Sequence, residues 1–99
     1  MTPTEAATAP EPDSVGDEKN LVVAINETLH EILAADERAS VFGEDVADPK
    51  GGVFKTTVGL TKAFGADRSF NMPLAESLIV GVAVGVAAAG GRPLPEIQF

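Results

Sequence analysis

Cysteine, tryptophan and tyrosine are absent from this 99-residue chain, and histidine occurs once. Without cysteine there is no disulfide scaffold, no thiolate zinc site and no thiol nucleophile, a composition that suits a reducing compartment. Bases are scarce: 7 Lys and Arg stand against 15 Asp and Glu, a formal net charge of −8. A nucleic-acid reader binds phosphates through clustered cations, so DNA and RNA are poor partners. Long hydrophobic runs are missing too. The longest, Leu78 to Ala89, falls short of the roughly 20 residues that cross a bilayer, so no membrane partner is expected and the run reads as a buried helix. A phosphate-cradling glycine loop, a zinc spacing and a nucleophile elbow are also lacking, which argues against self-contained catalysis.

What is present is unevenly spread. An apolar fraction of 44% is too high for a fully disordered chain, and the length allows one small domain. Residues 1–19 hold three of the seven prolines and five acids against one Lys, with no Leu, Ile or Phe. They read as a disordered acidic tail. The tail lacks the basic start and apolar core of a secretory signal, and its acids do not suit a mitochondrial transit peptide, so a cytoplasmic bacterial protein is expected.

Residues 20–99 carry the folded part. Leu21, Val22, Ile25, Leu29, Ile32 and Leu33 recur at helical spacing, predicting an amphipathic helix over 21–35 with Asn20 as its N-cap and Asn26, Glu27, His30 and Glu31 on its solvent face. Val41-Phe42 reads as a short buried strand running into a polar end, and Asp48 to Gly52 as a flexible loop. A short helix over 60–64 closed by Gly65, a strand at 69–71, a helix from Ala75 or Glu76 to Ala89, and a strand in 94–99 complete the order. This is an α/β pattern whose expected outcome is a parallel sheet. Gly81, Gly85 and Ala89 fall on one stripe of the last helix. Interior glycines disfavour a helix by roughly 0.8–1 kcal/mol each, so a second backbone packed closely there is expected to compensate.

Few side chains offer chemistry. His30 lies between two Glu residues on the predicted solvent face and reads as a surface residue. Glu76 opens an otherwise apolar helix, either as an acid favoured at a helix N-terminus or as a carboxyl held in an apolar cleft where desolvation would raise its pKa. Glu44 falls at the C-terminal end of a strand, the edge where parallel sheets place ligands, although a solvated loop acid would look the same. Glu96 and Gln98 alternate along the last strand and so share a face, either an exposed face or the wall of an interface or ligand site.

The runs FGEDV (42–46), GGVFKTTVGL (51–60), FGADRSFNMPLAE (64–76), IVGVAVGVAAAGGRP (79–93) and EIQF (96–99) resemble the beta subunit of thiamine-diphosphate-dependent 2-oxo acid dehydrogenases. The branched-chain (2-oxoisovalerate) type is nearest and the pyruvate type related. The resemblance spans about 20–99 and implies the amino-terminal part of a transketolase-like pyrimidine-binding domain. It implies that Glu76 hydrogen-bonds a pyrimidine nitrogen of thiamine diphosphate and favours the tautomer that removes the thiazolium carbon proton. Leu74 and Gln98 match positions lining the same pocket. It further implies an alpha subunit that binds the diphosphate and Mg²⁺, a second beta subunit completing a heterotetramer, and an acyltransferase core. The glycine stripe resembles a helix that packs across a subunit interface.

The pattern also departs from the family. Met72 replaces the usual Thr or Ser before Pro73 and is expected to narrow the pocket. Asp48-Pro49-Lys50 adds about two residues, and Pro95 is expected to weaken strand pairing. The family continues beyond EIQF with an aromatic wall residue, a catalytic histidine and a further domain, so the 99 residues read as an amino-terminal fragment, inactive alone. Two rivals are a truncated, non-catalytic chain acting only through association, and a transketolase or deoxyxylulose-phosphate synthase relative. The spacing from PLAE to EIQF argues against the second.

Overall fold

The computed structural model describes residues 17–98; the expected tail over 1–16 and the terminal Phe99 lie outside the described residues. Helix α1 (Asp17–Ala35) leads into strand β1 (Ala39–Gly43), followed by α2 (Leu60–Phe64), β2 (Ser69–Asn71), α3 (Glu76–Ala88) and β3 (Arg92–Glu96). The strands form one all-parallel sheet in the order β2-β1-β3. The expected α/β class and element order are therefore present.

Strand β1 is central, and its alternating side chains feed two cores. Ala39 and Val41 pack on one face with Leu33 of α1, Val46 and Leu60 of α2. Phe42 points to the opposite face, against Ile79 and Ala83 of α3, and stacks on Phe70 of β2 with ring centroids 5.2 Å apart. The result is a helix pair, a sheet and a third helix in layers.

Several local expectations are corrected. Helix α1 already includes Asp17, so Asn20 lies inside it rather than at its N-cap. The face expected to be solvated turns partly inward. Asn26 Nδ2 donates to the carbonyls of Thr56 and Val58, both at 2.9 Å. His30 is half-buried, its ring 5.9 Å from that of Phe64 and its Nε2 3.2 Å from the Val58 carbonyl. That carbonyl can only accept, so the ring is oriented to donate from Nε2. Leu21, Val23 and Ile25 are left exposed instead. Apolar periodicity located the helix and the inward Leu29, Ile32 and Leu33, with Glu27 and Glu31 exposed as expected, but not the inward turn of Asn26 and His30.

The Asp48–Gly52 segment, expected to be a flexible loop, serves as a cap. Helix α2 has Gly59 at its N-cap, which offers no side chain. Asp48 supplies the missing acceptors, taking the N–H of Gly59 at 2.7 Å and of Lys62 at 3.0 Å. A helix end left without such partners would strand its first donors.

Strand β3 spans Arg92–Glu96, earlier than the expected EIQF stretch, and includes Pro93 and Pro95. The Arg92 N–H donates to the Arg38 carbonyl at 2.9 Å. By the two-residue alternation of a parallel ladder, Leu94 and Glu96 also bond toward β1, and both prolines turn to the free side. Pro95 therefore takes nothing from the β1–β3 pairing, contrary to expectation.

The start of the sheet is tied by one guanidinium. Arg68 donates to the carbonyls of Leu33 and Asp36, each at 2.7 Å, and of Ala39 at 3.1 Å, and lies over the Phe64 ring. A cation beside the last carbonyls of α1 also complements the negative end of that helix. Arg68→Ala leaves three acceptors without this partner and is expected to destabilise the chain by about 3 kcal/mol. Urea unfolding of wild type and variant measures the difference, and Arg68→Lys should recover only part of it.

Candidate functional site

In parallel α/β sheets the loops beyond the C-terminal ends of the strands form the ligand-bearing edge. Pairing sets Asn71 of β2, Gly43 of β1 and Glu96 of β3 abreast at that edge. Glycine is required in the middle: a Cβ at residue 43 would strike the Glu96 carbonyl. The chain leaves this edge through the Glu44–Ala47 turn after β1, through Met72–Ala75 after β2, and through Ile97-Gln98 after β3.

The segment after β2 delivers Glu76. The Met72 N–H donates to the Gly43 carbonyl at 2.8 Å, which holds the exit of β2 against the end of β1. The chain then passes through Pro73 to an extended Ala75 (φ −153, ψ 91) at the N-cap of α3, with no side-chain cap bond. Glu76 is the first residue of α3, and it is exposed. Of the two readings of Glu76, it takes the place of an acid in the first turn of a helix, and the described residues form no apolar cleft around it. Leu74, 60% exposed, stands two residues before it. Gln98 is half-buried two residues past β3. Leu74 and Glu76 thus follow one outer strand and Gln98 the other, with β1 between those strands.

Two carboxylates show an unmet demand at the same edge. Glu44 and Glu96 each bury one side-chain oxygen, Oε1, that has no hydrogen-bond partner. Glu96 shares a face of β3 with Leu94 and borders a cavity of about 250 Å³ beneath α1, lined also by Ile25, Leu29, Val41 and Thr56. Burial there pushes the Glu96 carboxyl above its ordinary value. Helix α3 is open in a different way. It buries Ile79 and Ala83, but Leu78, Val80 and Val84 are exposed, and a Cβ at Gly81 or Gly85 would meet nothing within 4 Å. The second backbone expected against the glycine stripe is not supplied by the described residues. Those residues contain no group of three or more His, Cys, Asp or Glu that could hold a metal, and no helix long and apolar enough to cross a membrane.

Sequence reasoning singled out Glu76, Leu74, Gln98 and Glu44 but placed only Glu44 at the end of a strand; the structure sets all four on segments that follow the C-terminal ends of the strands. Sequence reasoning missed Asn71, whose Oδ1 accepts the Ala47 N–H at 2.8 Å, and Asp48. The missing capping side chain at Gly59 was a signal that some acceptor had to reach α2 from elsewhere.

Comparison with known proteins gives a consistent result. The family model described as transketolase, pyrimidine binding domain matches residues 17–99. A 3-methyl-2-oxobutanoate dehydrogenase subunit beta from Mycobacterium tuberculosis is 61% identical over 79 residues, covering 80% of this chain and 22% of the relative. The mitochondrial 2-oxoisovalerate dehydrogenase subunit beta 2 of Arabidopsis thaliana is 52% identical over 85% of this chain and 23% of its own length. A pyruvate dehydrogenase E1 component subunit beta from Staphylococcus epidermidis is 56% identical, with coverage of 80% and 24%. The chain thus spans less than a quarter of the length of each of these three relatives.

The half-buried Glu96 predicts a pH signature. Its folded-state pKa is raised by burial, so the folded state binds the proton more tightly than the unfolded state. The associated stability is fully present below the unfolded carboxylate range and is lost as pH rises through the folded value. Glu96→Gln removes this component. The difference in unfolding midpoint, variant minus wild type, should rise from acidic to neutral pH, which thermal melts at stepped pH values measure directly.

Proposed function

The chain belongs to the transketolase pyrimidine-binding domain family, and from that membership we propose that it forms the pyrimidine-binding part of a beta subunit of a thiamine-diphosphate-dependent 2-oxo acid dehydrogenase. The substrate is a branched-chain 2-oxo acid or pyruvate. Branched-chain relatives at 61% and 52% identity lie on either side of the pyruvate one at 56%, so the proposal covers both substrates.

The observation that carries this reading is the exposure of Glu76 and Leu74 together, at the head of α3 on the ligand-bearing edge of the sheet. A pyrimidine ring needs an apolar surface for its face and an in-plane hydrogen-bonding group for its nitrogens. Leu74 offers the first and the Glu76 carboxylate the second, with Gln98 as a further polar group on the far side of β1. The donor set fits the ring. When bound, thiamine diphosphate supplies the electron sink for decarboxylation of the 2-oxo acid. The residues of this chain do the rest at the pyrimidine end. Leu74 bears on the ring, and Glu76 holds and shares a proton at a ring nitrogen. The first turn of α3 fixes the direction from which that carboxylate approaches.

The opposite wall must come from elsewhere, because Glu76 stands in the open in this chain. We assign that wall, with the sites for diphosphate and Mg²⁺, to an alpha subunit. The open glycine stripe of α3 is assigned to a helix of a second beta subunit, in a heterotetramer that serves an acyltransferase core. A 99-residue chain on its own is then inactive.

Two variants test the proposal. In the intact heterotetramer, Glu76→Gln should lower kcat for decarboxylation by about 100-fold or more while the assembly persists. Near wild-type turnover would remove Glu76 from the mechanism. A Cβ at Gly85 meets nothing within 4 Å among the described residues, so Gly85→Leu should raise the stability of the isolated helix by about 1 kcal/mol. It should nevertheless block assembly, as read by size-exclusion chromatography.

A further inference from the structure

The turn that leaves β1 is held more firmly than a surface turn requires. Asp45 adopts φ +57, a left-handed conformation that favours glycine and that Asp tolerates better than most side chains. Three successive residues are tied from a distance. The Gly52 N–H donates to the Asp45 carbonyl at 2.7 Å, Thr57 Oγ1 donates to the Val46 carbonyl at 2.8 Å, and the Ala47 N–H donates to Asn71 Oδ1 at 2.8 Å. The first two ties come from the loop that follows the turn. The third comes from the last residue of β2, the strand that runs on to Leu74 and Glu76.

That third tie is not needed to keep the strands paired. The backbone bond from Met72 to Gly43 already joins β2 to β1 one residue further on. What the Asn71 side chain adds is a constraint between two exits of the sheet, the Glu44-bearing turn and the segment that presents Glu76. We propose that Asn71 is a positioning residue: by holding Ala47 it locks the turn after β1 to the exit of β2, so that Leu74 and Glu76 meet the ring of the cofactor from a fixed frame. This rests on the pyrimidine-binding function proposed above. Asn71 is exposed, so replacing it leaves both cores intact, and it touches the reaction only through the frame it sets.

The test uses the intact heterotetramer carrying Asn71→Ala or Asn71→Asp, with thiamine diphosphate as the titrant in calorimetry and steady-state kinetics beside it. Asn71→Ala is expected to weaken thiamine diphosphate binding about tenfold, with the KM for the 2-oxo acid and the unfolding midpoint of the cofactor-free assembly unchanged. Asn71→Asp keeps an acceptor for the Ala47 N–H and is expected to restore affinity to within about threefold. Wild-type affinity in Asn71→Ala, or equal weakness in both variants, overturns the role of Asn71 while leaving the pyrimidine-binding reading in place. A wild-type assembly that does not bind thiamine diphosphate overturns both.

Discussion

Strand β1 is the member on which the other elements converge. It is the only strand of the described sheet with a neighbour on each side, and Val41 and Phe42 send adjacent side chains into separate cores. A strand buried on both faces must be apolar nearly throughout, which is what Ala-Ser-Val-Phe-Gly provides. Its last residue must also be the smallest, because the backbone of β3 closes over Gly43. The pairing register sets the ends of all three strands level at that residue, and the level ends form the edge on which the candidate residues stand.

The two ends of the sheet are built to opposite specifications. At the N-terminal end, charge is neutralised locally: Arg68 satisfies three carbonyls, and Asp36 bonds Arg38 at 3.1 Å with Arg92 at 3.8 Å. The Arg38 guanidinium hydrogen-bonded to Asp36 holds that carboxyl below its usual range. At the C-terminal end, demand is left unmet. Glu44 and Glu96 each bury an oxygen without a partner, and Leu74 is exposed to solvent. Buried polar atoms are ordinarily paired, and the two side-chain atoms among the described residues that are not, on Glu44 and Glu96, both lie at this edge.

The parts legible in the sequence are those set by short-range chemistry. Pro73 restrains Met72, Gly65 closes α2, and Gly90 ends α3 in a left-handed conformation at φ +100; each sits near the boundary that its residue type predicts. The resemblance carried by the quoted motifs supplied Glu76, Leu74 and Gln98. Long-range partnerships were not legible. That Asp48 would cap a helix eleven residues on, or that Asn26 and His30 would face a loop some thirty residues away, depends on tertiary placement that periodicity does not encode. The start of β3 was displaced for a related reason. Proline counts against a strand only where its N–H is needed, and which side of the ladder a residue faces is a property of the sheet rather than of the sequence.

The prolines of β3 give that side of the described sheet a one-sided chemistry. At Pro93 and Pro95 it can offer carbonyl oxygens but no N–H. Two such edges laid against each other would bring acceptor to acceptor, so copies of this chain cannot extend the sheet by templating β3 on β3 through these residues. Open sheet edges are ordinarily where misassembly begins. Here the edge refuses its own kind while remaining able to accept a strand or side chain that brings donors.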